Sequence, residues 1–117
     1  MGKSTRIFIL TFFLSLPFTG RAAAPAPGSA LAYPSPANGG FVHFAYDMPS
    51  PGDAMILIYN EAGDLIAQWR ETKGPGLQES LTNTAYYTPG VYFFRVLLYP
   101  VSGGVVKLKM GKFSIIR

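Results

Sequence analysis

Gly90-Val91-Tyr92-Phe93-Phe94-Arg95-Val96-Leu97-Leu98-Tyr99, preceded by Pro89, is the stretch that decides the fold. It is aromatic and branched, opens on a Pro-Gly turn and lacks the 3.6-residue period of an amphipathic helix, so it reads as one long β-strand. Side chains alternate across a strand. Val91, Phe93, Leu97 and Tyr99 therefore share one side, and Tyr92, Phe94, Val96 and Leu98 share the other. A surface strand of a lone domain is expected to be apolar on one side only. Either both faces are covered, or one of them is a contact surface.

Outward from this strand the pattern stays β. Phe41 to Met48 sets Val42, Phe44, Tyr46 and Met48 against His43, Ala45 and Asp47. A turn at Pro49 to Asp53 leads to a strand from Ala54 to Tyr59. Asn60-Glu61-Ala62-Gly63-Asp64 reads as a hairpin loop, with Gly63 at a left-handed position. Leu65 to Arg70 pairs back, with Leu65, Ala67 and Trp69 opposed to Ile66, Gln68 and Arg70. Thr72 to Gly76 is a loop, and Leu77 to Leu81 is a short strand. After a turn at Pro100 to Gly104, the last strand sets Val106, Leu108 and Met110 against Lys107 and Lys109. Its apolar phase changes at Gly111, before Phe113 and Ile115, which suggests a bulge. About seven short strands separated by turns predict an all-β, antiparallel β-sandwich.

The beginning of the chain has a different character. Lys3 and Arg6 precede an apolar run, Ile7 to Phe18, and Gly20 to Ala24 supplies small residues, the pattern of a signal peptide cut after Ala22. The run is about twelve residues, short of the roughly 20 a membrane span needs. Residues 1–22 are thus expected to be the signal, 23–36 a Pro/Ala-rich tether and 37–117 the sandwich. An uncleaved anchor is the alternative, and the processed chain is expected to keep no stable transmembrane segment. Losing Lys3, Arg6 and Arg21 takes the formal charge from +4 to +1. A nucleic-acid partner, which needs a clustered basic face, loses its support. With no cysteine, an exported fold has no disulfides to rest on.

Catalytic chemistry has little to build on. His43 is the single histidine, which leaves no basis for a Ser-His-Asp arrangement or a histidine zinc site. It reads as an exposed surface residue on the polar side of its strand. Asp47 with Asp53, and Glu61 with Asp64, are spaced as turn carboxylates rather than as a calcium loop. No catalytic residue, metal site or cofactor is expected.

Five segments in order carry a family pattern: Tyr33-Pro34-Ser35-Pro36, Phe44-Ala45-Tyr46-Asp47-Met48-Pro49, Ile58 to Leu65, Pro89 to Val96, and Gly111 to Arg117. Together they resemble the immunoglobulin-like domain of the flagellar hook-capping protein family. They are similar also to the related C-terminal sorting modules of type IX secretion cargo. The resemblance implies a bacterial, immunoglobulin-like (fibronectin III-like) sandwich that binds or delivers rather than catalyses. Its matched positions are Tyr33, Pro34, Gly63, Gly90, Tyr92, Lys112 and Arg117, mostly structural; Tyr92 is placed to bury its ring and bond its hydroxyl to nearby backbone.

Alignment with that pattern makes Ala54, Ile56 and Ile58 core. Met55, Leu57, Tyr59, Val91, Phe93, Leu97 and Tyr99 then share an outer face bordered by Arg95, Lys107 and Lys109, and a contiguous patch of this sort marks an interface. The expectation is an exported, non-enzymatic module in the periplasm, on the outer surface or outside the cell, acting through a protein partner or self-association. A type IX sorting-type module is one alternative. Another is a carbohydrate-binding module, in which Tyr59, Phe93 and Tyr99 with Lys107 form a platform for a glycan.

Overall fold

The computed structural model describes residues 25–38 and 40–116, so the expected signal peptide, Gly39 and Arg117 lie outside the described residues. Among the described residues the chain forms eight strands and no helix. They are β1 (Leu31–Tyr33), β2 (Phe41–Met48), β3 (Gly52–Tyr59), β4 (Leu65–Lys73), β5 (Gly76–Asn83), β6 (Gly90–Pro100), β7 (Val106–Lys107) and β8 (Gly111–Ile115). A three-stranded sheet runs β1-β2-β5 and a five-stranded sheet runs β4-β3-β6, with β7 and β8 both on the far side of β6. All strand pairs are antiparallel. This is the fibronectin III-like form of the immunoglobulin sandwich.

Period-two alternation decides which side of each strand is buried. Val42, Phe44, Tyr46 and Met48 from β2 meet Ala54, Ile56 and Ile58 from β3 and Tyr92, Phe94, Val96 and Leu98 from β6. Phe44 sits at the centre, 5.0 Å from the Phe94 ring and 5.7 Å from Phe113. Large aromatic areas of this kind compensate for the absent disulfides.

Four expectations need correction. The last strand is two strands, β7 and β8, because the chain leaves β6 at Lys109 and Met110 and rejoins it at Gly111. Of Val106, Leu108 and Met110, only Leu108 is buried; its N–H donates to Val96 O at 3.0 Å. Between Ile58 and Tyr59 of β3 the pairing with β4 slips, which makes Ile66 of β4 an extra residue and puts Leu65 opposite Tyr59 instead of on the side of Ala67 and Trp69. The segment between Gly76 and Asn83 is a full strand whose leucines, Leu77 and Leu81, are half-exposed while Ser80 is buried. Finally, the expected tether joins the fold before its boundary at residue 37. Ala32 in β1 is buried, Ser29 bridges in parallel to Lys109, and Ala37 bridges to Ile115.

Candidate functional site

The five-stranded sheet turns Met55, Leu57 and Tyr59 of β3 and Val91, Phe93, Arg95, Leu97 and Tyr99 of β6 away from the core. Each is half-buried, because its flanks are covered by cross-strand neighbours. Register arranges them in rows. Arg70, Met55, Leu97 and Lys107 form one row, and Gln68, Leu57 and Arg95 the next. Leu65, Tyr59, Phe93 and Lys112 form a third. Apart from Arg95, the outward side chains in these rows on the two central strands are aliphatic or aromatic, and Arg70, Lys107 and Lys112 stand on the flanking strands. Lys107 is exposed at this border; Lys109, expected beside it, is exposed where the chain bridges to Ser29, its N–H donating to Gly28 O at 2.9 Å.

One end of the strip is closed. The Arg70 guanidinium lies 4.1 Å over the Tyr99 ring centroid, a cation–π contact. Its Nε donates to Asp53 Oδ2 at 3.1 Å, and Thr72 Oγ1 donates to Asp53 Oδ1 at 3.0 Å. Lys112, expected only as a structural residue, stands beside Phe93 and joins the cationic border.

The other matched positions are structural. Gly63 has φ of +89° in the hairpin loop, where its N–H donates to Asn60 O at 3.0 Å. Gly90 opens β6 at φ +149°. Tyr92 is buried, its ring stacks on Phe113 at 5.5 Å, and its hydroxyl donates to Thr88 O at 2.6 Å. That is the tyrosine-corner geometry of immunoglobulin-like sandwiches. Pro34 is an exposed residue directly after β1.

On the opposite sheet His43 is less exposed than expected. Its ring stacks on Tyr33 at 4.9 Å and 11°, and its Nδ1 lies 3.5 Å from Glu79 Oε1. Tyr33 donates its hydroxyl to Glu79 Oε2.

A second polar arrangement joins the two sheets where their edges β4 and β5 meet. Trp69 Nε1 donates to Glu71 Oε2 at 2.6 Å, Ser80 Oγ donates to Glu71 Oε1 at 3.0 Å, and Lys73 Nζ lies 2.9 Å from the same oxygen. Ser80 has spent its proton on the carboxylate, so the 2.7 Å bond from Tyr46 has the tyrosine as donor. Burial opposes ionisation of Glu71, but the bonds from Lys73, Trp69 and Ser80 and the Lys73 charge outweigh it and hold the carboxyl below its ordinary range. Burial, with the Glu71 charge in support, pushes the Tyr46 hydroxyl up to about 12, against the opposing effect of the Ser80 bond. The signal for this cluster was present in the sequence: Trp69, Glu71 and Lys73 alternate at i, i+2 and i+4 and so share one face of the strand.

No protein-family model matches the chain, so the hook-capping resemblance finds no matching family model. No curated protein matches it either. A solved structure does match. The crystal structure of dimeric latent PorU from Porphyromonas gingivalis aligns with a TM-score of 0.60 at 15% identity, over 74% of this chain and 9% of that one. The likeness is one of fold. This chain spans less than a tenth of that protein's length.

Proposed function

We propose that this chain is an exported, non-enzymatic immunoglobulin-like module that works through protein contacts at the cell surface or in the periplasm. The contacts are made by the outer face of the five-stranded sheet. One observation carries the reading: Met55 beside Leu97 and Tyr59 beside Phe93 put two apolar pairs on the outer face of the two central strands, joined by Leu57, with Arg95 set between them on β6. Interface centres combine aromatic and aliphatic groups in this way, and arginine is enriched among them. The composition supports a non-enzymatic role, since the one histidine is engaged with Tyr33 and Glu79 and there is no cysteine nucleophile. The matched segments from Tyr33 onward, together with the fold shared with PorU, support a sorting or assembly module of the type IX kind as the finer reading.

The glycan platform is less well supported. Arg70 already lies over Tyr99, and Leu57 and Met55 fill the gaps where a sugar-binding row needs polar groups.

The test is site-specific photo-cross-linking in producing cells. A photoreactive residue at Leu97 is expected to give a discrete protein adduct that disappears with Leu57→Asp. The same residue at Leu81, on the other sheet, is expected to give none. Equal labelling from both positions, or an adduct at Leu97 indifferent to Leu57→Asp, contradicts the proposal.

A further inference from the structure

The charge around the strip defines what it can receive. Arg95 lies within it, beside Leu57, while Lys107 and Lys112 border it on the β7–β8 side. Among the described residues, the ion pairs are His43–Glu79, Arg70–Asp53 and Lys73–Glu71, so Arg95, Lys107 and Lys112 have no carboxylate partner. Five of the six carboxylates are placed elsewhere. Asp47 and Glu79 belong to the three-stranded sheet, Glu71 lies between the sheets, and Glu61 and Asp64 sit in the hairpin loop. Only Asp53 stands on this face, and Arg70 neutralises it.

Resting on the protein-contact reading above, we infer that the occupant is a different protein whose surface offers an apolar strip bordered by carboxylates, not a second copy of this chain. Two copies placed face to face bring six unneutralised cations into one interface. Like charges juxtaposed in a desolvated contact oppose association, while complementary ones steer it. A flat lipid surface fits less well, because the apolar side chains are half-buried among their cross-strand neighbours and cannot reach into acyl chains.

A chain with the required partner chemistry can be made from this one. The full chain carrying Arg95→Glu, Lys107→Glu and Lys112→Glu keeps the strip and reverses its border. The double variant K107E/K112E replaces it if circular dichroism shows that the triple variant is not folded. In sedimentation velocity, the unaltered chain is expected to remain monomeric, and its equimolar mixture with the reversed chain to form a heterodimer. That heterodimer should weaken about tenfold or more on going from low to high salt, since exposed charges are screened beyond roughly 3 Å at 1 M. Leu57→Asp in either chain should abolish it.

A homodimer of the unaltered chain that Leu57→Asp dissociates overturns this inference yet leaves the protein-contact reading standing. Absence of the mixed complex also overturns it, as does tighter binding to phosphatidylglycerol vesicles than to the reversed chain. Loss of the Leu97 cross-link in cells removes the underlying reading as well.

Discussion

At Gly111 the backbone of β8 passes under the Phe94 ring so closely that a Cβ there would stand 2.5 Å from Phe94 Cζ. Register pairs the two residues directly, so the ring folds over a glycine that leaves it space. Gly111→Ala is expected to cost on the order of 1–3 kcal/mol of stability, as overpacked cores do. Much of that cost should vanish in a Phe94→Ala background, because residues in contact do not act additively. Equal costs in the two backgrounds, measured by urea denaturation, refute the steric account. The phase change in the sequence located this glycine but attributed it to a bulge; the aromatic ring that requires it comes from a strand pairing that no local pattern reveals. Tyr92 was more legible, because a tyrosine at the start of a long strand has a hydroxyl that must find a partner once its ring is buried. Tyr92→Phe is expected to lose about 1 kcal/mol, the usual worth of one such bond.

Individual strands differ in how openly they show their inward side. β3 and β6 lie inside their sheet and alternate without interruption, and both their core and outer faces follow from the sequence. Edge elements behave otherwise. β5 turns Ser80 inward and leaves Leu77 and Leu81 half-exposed, because the polar cluster on Glu71 satisfies what the sheet edge buries. Hydropathy alone assigns those faces the wrong way round. β4 hides its bulge, since Ile66 is as apolar as its neighbours and only the pairing with β3 shows the slip. In the broken last strand, one side chain of the alternating set holds the segment to the core. Leu108→Ala is therefore expected to cost roughly 2–5 kcal/mol, as for other buried leucines, while Met110→Ala, at an exposed position, stays within about 0.5 kcal/mol. Comparable losses at the two positions in thermal unfolding count against this division.

For the molecule as a whole, the Glu71 cluster ties one edge of the sandwich together and should set its response to pH. Glu71 has its folded-state value lowered from 4.5, so its contribution is complete above that value and is lost as pH falls through the lower folded-state value. Tyr46 is the opposite case. Its folded-state value is raised from 10.0 to about 12, so its contribution is complete below 10.0 and is lost as pH rises towards 12. Stability is thus expected to be level between about pH 5 and pH 9 and to fall on both sides, with separate causes. Glu71→Gln should flatten the acid side and, by removing a charge that helps raise Tyr46, also make the alkaline side shallower. Tyr46→Phe should leave the acid side and reduce the alkaline one to the part set by Tyr87, which burial also raises. Each should lower the plateau by about 1–3 kcal/mol for the bonds removed. Urea midpoints at closely spaced pH values distinguish the two limbs. If Tyr46→Phe leaves the alkaline limb as steep as before, the buried Tyr46 hydroxyl is not what weakens the fold at high pH. If both variants keep the acid limb, the Glu71 carboxylate does not hold the sandwich edge closed.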